Sequence, residues 1–252
     1  MQQGSYMKTQ ADCPYLLFES HRVPKPVLFL DYDGTLVKIF PDPELAVADD
    51  DLKNLIGELD RRFEMYLVTG RALEDIRNLI GIRVNIIALH GAVGIIGGKY
   101  RVFVEDFERY VDLCNLLEKE SLIMTERYPG LRIYNKRGNL LYHYGRVSPS
   151  LLDGLFGEVR EIGRVHGLSV YMGKLIIELR IPGMDKGKTI SFLRNGRSSI
   201  IAGDDTTDEE AFSSNPDAVK ISVGRALAGS DCVLSDPAEM RRFLRYIIQR
   251  EE

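Results

Sequence analysis

Leu28-Phe-Leu-Asp-Tyr-Asp-Gly-Thr-Leu36 decides how the rest of the chain is read. Residues 27–30 form a short apolar run between a proline and Asp31, as in a strand buried on both faces of a parallel sheet. Asp31 and Asp33 leave that strand together, and Gly34 permits a tight turn. A carboxylate can attack phosphorus to form an acyl phosphate, and a second can act as general acid and then base. A solvated acidic turn is the competing reading. A calcium helix-loop-helix fails on spacing, since its sixth position requires glycine and Leu36 stands there.

Working outward, Leu52, Leu55, Ile56 and Leu59 recur at helical spacing over 51–62. A second buried strand over 65–68 ends in Thr69-Gly70-Arg71, followed by a helix over 72–80 and a strand over 85–89. Strands alternating with helices predict a three-layer α/β core with a parallel, Rossmann-like sheet. Between 92 and 180 the pattern changes to paired short strands. Hairpins are expected at 93–96/100–104, 131–135/140–144 and 168–171/175–179, with helices at 105–128 and 148–166, the second starting in a Ser-Pro-Ser cap region. These residues predict an inserted α/β cap domain, an antiparallel sheet with two helices on one face. The core would then comprise 1–91 and 181–252. Alternation resumes with helices at 188–193, 207–212 and 238–249 and strands at 199–202 and 218–221. Residues 1–25 read as a lead-in with a helix at 15–21.

Bulk properties narrow the functional classes. At 44% hydrophobic and 28% charged, the 252 residues suit a globular protein of one large domain or two unequal ones. A net charge of −4 offers no basic surface for nucleic acid, while a small anionic substrate remains compatible with a local cationic cluster. Cys13, Cys114 and Cys232 are odd in number and far apart, so neither a metal site nor a disulfide framework is expected, and a reducing compartment is. No apolar run reaches the roughly 18 residues of a membrane helix. The first twenty residues hold one lysine and no long apolar stretch, unlike a secretory signal, so a cytoplasmic location is expected.

Three further stretches fall where an open α/β sheet binds ligands, beyond the carboxyl ends of its strands. Thr69 offers a hydroxyl that can hold a phosphoryl oxygen, or simply cap a helix. Lys186, in Gly183-Met-Asp-Lys-Gly-Lys188, can neutralise phosphoryl charge. Asp204, Asp205 and Asp208, in Gly203-Asp-Asp-Thr-Thr-Asp-Glu209, supply the hard oxygens that suit Mg²⁺, or form an acidic helix N-terminus.

In this order the four stretches resemble the motifs of the haloacid dehalogenase superfamily of phosphatases, and the resemblance runs from Pro26 onward. It implies that Asp31 is the residue phosphorylated and Asp33 the acid/base. Thr69, Gly70 and Lys186 would bind the phosphoryl group. Mg²⁺ would be held by Asp31, the backbone carbonyl of Asp33 and Asp204, with Asp205 and Asp208 as direct or supporting ligands. An insertion between Thr69 and Lys186 is where that superfamily carries its larger α/β cap.

Within it, the chain resembles trehalose-6-phosphate phosphatases. Leu89-His-Gly-Ala92, Asn135-Lys-Arg137, Tyr142-His-Tyr-Gly-Arg146 and Ile177-Glu-Leu-Arg-Ile-Pro182 carry this, with Gly145 an extra residue. Lys136, His143 and Glu178 would then meet sugar hydroxyls. Hydrolysis of a sugar phosphate is the leading expectation, trehalose 6-phosphate foremost. Sucrose- or mannosylglycerate-type phosphates, phosphomutase chemistry and non-catalytic sugar-phosphate binding are the alternatives. No fused sugar-transferring domain is seen, so a partner synthase would be a separate protein.

Overall fold

The computed structural model describes residues 13–21, 25–40, 42–173 and 175–250. They fall into two compact units, residues 102–184 and the remainder.

The first unit is built on an eight-stranded sheet. In chain order its strands are β1 (Val27–Asp31), β2 (Met65–Val68), β3 (Ile86–Ala88), β4 (Val93–Ile96), β5 (Lys99–Val102), then β10 (Ser199–Gly203), β11 (Val219–Val223) and β12 (Cys232–Leu234). Their order across the sheet is β12-β11-β10-β1-β2-β3-β4-β5. The six strands from β12 to β3 run parallel and β4 is antiparallel to β3. Every residue of β1 and β2 is buried, as expected for strands covered on both faces. Phe29 stacks on Tyr66 at 5.0 Å between ring centroids, in a cluster with Ile190, Ala211 and Phe212. The last three come from α7 (Lys186–Arg194) and α8 (Thr206–Ser214).

Three more helices of this unit follow the amphipathic pattern of the sequence. In α2 (Asp50–Arg62), Leu52, Leu55, Ile56 and Leu59 are buried, and the Asp49 carboxylate accepts from Leu52 N at 2.7 Å to cap the helix. α3 (Leu73–Ile80) ends at Gly81 in the left-handed conformation. α9 (Pro237–Arg250) buries Met240, Phe243, Leu244, Ile247 and Ile248.

Two expectations are corrected here. The hairpin after β3 extends the first unit's sheet and is not part of the insertion, so the division falls at 101/102 and 184/185 rather than 91/92 and 180/181. A hairpin cannot show from its own sequence which sheet its edge joins. Cys13 and Cys232, 219 residues apart, form a disulfide, against the expectation of none. The helix α1 (Cys13–His21) sets Tyr15 edge-on to Phe243 and Tyr246 of α9, and this packing brings Cys13 to β12. The rest of the lead-in, 1–12 and 22–24, lies outside the described residues.

The second unit has a four-stranded antiparallel sheet of order β6-β7-β9-β8, formed by β6 (Arg132–Asn135), β7 (Leu140–His143), β8 (Ser169–Gly173) and β9 (Ile176–Arg180). Leu140, Tyr142, Ile177 and Leu179 from one face pack with Cys114 and Leu117 of α4 (Phe107–Ser121) and Leu155 and Val159 of α6 (Leu152–His166). The single helix expected at 105–128 breaks after Ser121 and resumes as α5 (Met124–Arg127). Ser148 caps no helix: its hydroxyl bonds Ser150, and a 3-10 turn over Pro149–Leu151 precedes α6.

Candidate active site

Asp31 is the last residue of β1, Thr69 follows β2, and Asp204 follows β10, so parallel pairing sets them side by side at one end of the sheet. Lys186 opens α7. Its Nζ lies 2.9 Å from Asp31 Oδ1 and 2.9 Å from Asp208 Oδ1, and all three side chains are buried. Asp208 Oδ2 in turn accepts from the backbone N–H groups of Asp204 (3.0 Å) and Asp205 (3.2 Å).

The turn after β1 is held by Leu36 N donating to Tyr32 O (3.0 Å) and by Tyr32 Oη donating to Ala46 O (2.7 Å). Gly34 sits there at φ +84°, and a Cβ on it would lie 2.1 Å from Asp204 Oδ2. Any larger residue would drive the Asp204 carboxylate away from β1.

Charge is crowded in this cluster. Burial raises the Asp31 pKa well above the carboxylate range, with Asp208, Asp204 and Asp205 adding to the rise and Lys186 opposing it. Burial, with Asp208 and Asp205, pushes Asp204 up to about 7. Burial alone would lower Lys186, but Asp208 and Asp31 outweigh it and hold the ammonium charged. Burial also pushes Asp205 up, yet Lys186, the bonds from Thr207 and His90 prevail, and its pKa falls to about 2.

Oxygens of Asp31, Asp204 and Asp208 come within 4.8 Å of one another. Three hard oxygen donors at that spacing, with Asp204 destabilised as an anion by its neighbours, fit a small divalent cation. Asp205 stands apart from this set. Its Oδ1 accepts from both Thr207 N (2.8 Å) and Thr207 Oγ1 (2.6 Å), and with Asp208 it forms a reciprocal capping box on α8. Asp208 thus serves the helix cap through Oδ2 while its Oδ1 meets Lys186.

The Asp33 carboxylate turns to Arg71, a residue given no role on sequence grounds. Arg71 Nε and Nη2 donate to its two oxygens at 2.6 Å each. Thr69 Oγ1 accepts from Arg71 N at 3.1 Å, which leaves the hydroxyl proton to be donated. His90 was also missed. It lies in a 3-10 turn, Leu89–Gly91, where Leu89 and His90 both have positive φ (50° and 53°). Left-handed conformation costs a non-glycine residue roughly 1–2 kcal/mol. Leu89-His-Gly-Ala92 carries the family resemblance, but two left-handed residues in succession set the His90 side chain in a way the sequence does not show.

The second unit holds its own polar cluster. Glu178 is buried, and its Oε1 accepts from Lys136 Nζ and its Oε2 from Arg180 Nε, both at 2.8 Å. The Arg180 guanidinium lies 3.7 Å from the Tyr171 ring centroid. Glu178 pairs with Leu141 in the sheet, and His143 shares that face two residues on. Arg180 carries no assigned role in the sequence reading.

The core sheet and the carboxylate–lysine cluster at its strand ends define a phosphatase of the haloacid dehalogenase type. The match extends further: the chain belongs to the trehalose-phosphatase family, whose pattern it fits over residues 29–230. It is 41% identical to a trehalose-6-phosphate phosphatase-related protein of Thermoplasma acidophilum, over 88% of this chain and 96% of that one. It is 26% identical to a probable trehalose-phosphate phosphatase of Oryza sativa, covering 90% and 67% respectively. A crystal structure of a trehalose-6-phosphate phosphatase related protein superposes with a TM-score of 0.85 at 40% identity, over 89% of this chain and 97% of that one. A Candida albicans trehalose-6-phosphate phosphatase domain shares the fold at a TM-score of 0.76 and 22% identity, over 94% and 97%. No helix among the described residues is long and apolar enough to cross a membrane.

Proposed function

We propose that this phosphatase hydrolyses trehalose 6-phosphate in the presence of Mg²⁺, with Asp31 as nucleophile. The observation that carries the reading is the buried Lys186 bridging Asp31 and Asp208 at 2.9 Å each, beside Asp204. A carboxylate oxygen of Asp31 attacks phosphorus and the bond to the sugar oxygen breaks. Asp33 gives that oxygen its proton. Asp33 then takes a proton from water, whose oxygen attacks the same phosphorus and frees the Asp31 carboxylate along with inorganic phosphate. Lys186 and the Thr69 hydroxyl offset charge on the phosphoryl oxygens. Asp31, Asp204 and Asp208, with the Asp33 carbonyl that the family resemblance adds, would hold Mg²⁺, which when bound supplies Lewis-acid charge neutralisation.

The sugar assignment draws on the activity named for the relatives and on the Lys136–Glu178–Arg180 cluster, whose donors and acceptors suit hydroxyl groups. A panel of sugar phosphates assayed with and without Mg²⁺ tests it. Phosphate release from trehalose 6-phosphate above the others, and only with metal, is the expected result. No release from any sugar phosphate with metal present overturns it.

A further inference from the structure

His90 is a buried, titratable side chain that the hydrolytic steps above do not use. Its turn is tied down on two sides. On one, His90 N donates to Thr69 O (3.0 Å) and Leu89 N to Arg71 O (2.9 Å), so it brackets the Thr69-Gly70-Arg71 segment. On the other, Gly91 O accepts from Thr189 Oγ1 at 2.9 Å, one turn beyond Lys186 in α7. Gly91 has φ +105°, and a Cβ there would meet Thr189 Oγ1 at 2.8 Å and Asp185 O at 3.0 Å. The His90 ring lies against Gly70: a Cβ on Gly70 would fall 2.2 Å from Cε1 and 2.4 Å from Nε2, and its three nearest atoms all belong to this ring.

We propose that His90 is a positioning residue for the phosphoryl pocket, its imidazole wedged against Gly70 so that the Thr69–Gly70 segment and α7 present Thr69 and Lys186 together. The missing Cβ at Gly70 and the ring at His90 are two halves of one fit. The left-handed backbone at 89–91 is what allows a side chain following β3 to reach across β2's loop. Asn accepts that backbone readily while lacking the ring, which separates backbone from side chain.

The proposal rests on the phosphatase reading of the site, and the test keeps the two apart. Inorganic phosphate with Mg²⁺ is titrated calorimetrically into the full chain and its variants, with thermal midpoints recorded alongside. His90→Asn and His90→Ala are each expected to weaken phosphate binding at least about tenfold. Gly70→Ala alone is expected to weaken it too, and Gly70→Ala combined with His90→Ala to bind more tightly than Gly70→Ala alone, because the new methyl takes the space the ring vacates. Should His90→Ala fail to fold, His90→Asn carries the test. Wild-type phosphate affinity in His90→Asn overturns the proposal, as does a Gly70→Ala effect that is the same with and without the ring. A wild-type chain that binds no phosphate overturns the phosphatase reading along with it.

Discussion

Arg71 grips the Asp33 carboxylate with two hydrogen bonds of 2.6 Å, and its backbone N–H simultaneously holds the Thr69 hydroxyl. One residue thus fixes two groups that the proposed chemistry uses at different oxygens. The contact is stronger than an exposed ion pair, since the Arg71 side chain is 16% exposed and the geometry is bidentate.

If Arg71 orients Asp33 toward the leaving oxygen, its loss should matter in proportion to how much that oxygen needs a proton. Arg71→Ala is expected to lower kcat/KM on an alkyl sugar phosphate by about 10²-fold. On p-nitrophenyl phosphate, whose leaving group departs without protonation, the expected loss is only a few-fold. Equal losses on both substrates would contradict the role and point to phosphate binding instead.

Asp204 is a largely buried carboxylate, further crowded by Asp208 and Asp205, so its charge opposes folding until a cation offsets it. Asp204→Asn should therefore raise the thermal midpoint of the metal-free protein while abolishing the further rise that Mg²⁺ gives the wild type. Activity should fall with it, and chelation should silence the wild type reversibly. A variant still stabilised by Mg²⁺ to the wild-type extent would remove Asp204 from the metal site.

Glu178 is buried between Lys136 and Arg180, and both its oxygens are occupied. Replacing it by Gln leaves two cations without their shared anion. The expected cost is about 3–5 kcal/mol in unfolding free energy, read from denaturant titration. KM for the sugar phosphate should rise more than KM for p-nitrophenyl phosphate. A shift in neither stability nor KM would show the cluster to be incidental.

The Cys13–Cys232 disulfide closes nearly the whole chain into a loop. On the chain-entropy account a loop that long contributes roughly 5 kcal/mol. Reducing agent should lower the thermal midpoint of the wild type to that of Cys13→Ser and leave the variant unmoved. A wild-type midpoint insensitive to reductant would show that the bond contributes nothing in solution.

The disulfide also marks a limit of what sequence can say. Buried strands such as β1 and β2 are legible in the sequence because burial on both faces leaves continuous apolar runs, and the polar residues where those runs stop, Asp31 and Thr69, stand out against them. Features depending on which distant parts meet are not legible. Cys13 reaches Cys232 only because α1 docks on α9, and the hairpin of β4 and β5 joins the first sheet only because β4 pairs with β3. Asp205 and Asp208 look alike in sequence and share the capping box on α8, yet it is Asp208 that also binds Lys186, a choice made by the geometry of the helix start. Arg71 and His90 stand in plain view in the sequence, but their contacts with Asp33 and Gly70 are made by neighbours that only folding supplies.

The central claim is that Asp31 is the nucleophile of a phosphomonoester hydrolase. Its most direct test is phosphate release from trehalose 6-phosphate by the wild type and by Asp31→Asn, with Mg²⁺ present and folding confirmed. A loss in kcat on the order of 10³-fold or more in the variant is predicted. An Asp31→Asn protein that turns over within a few-fold of wild type would contradict it.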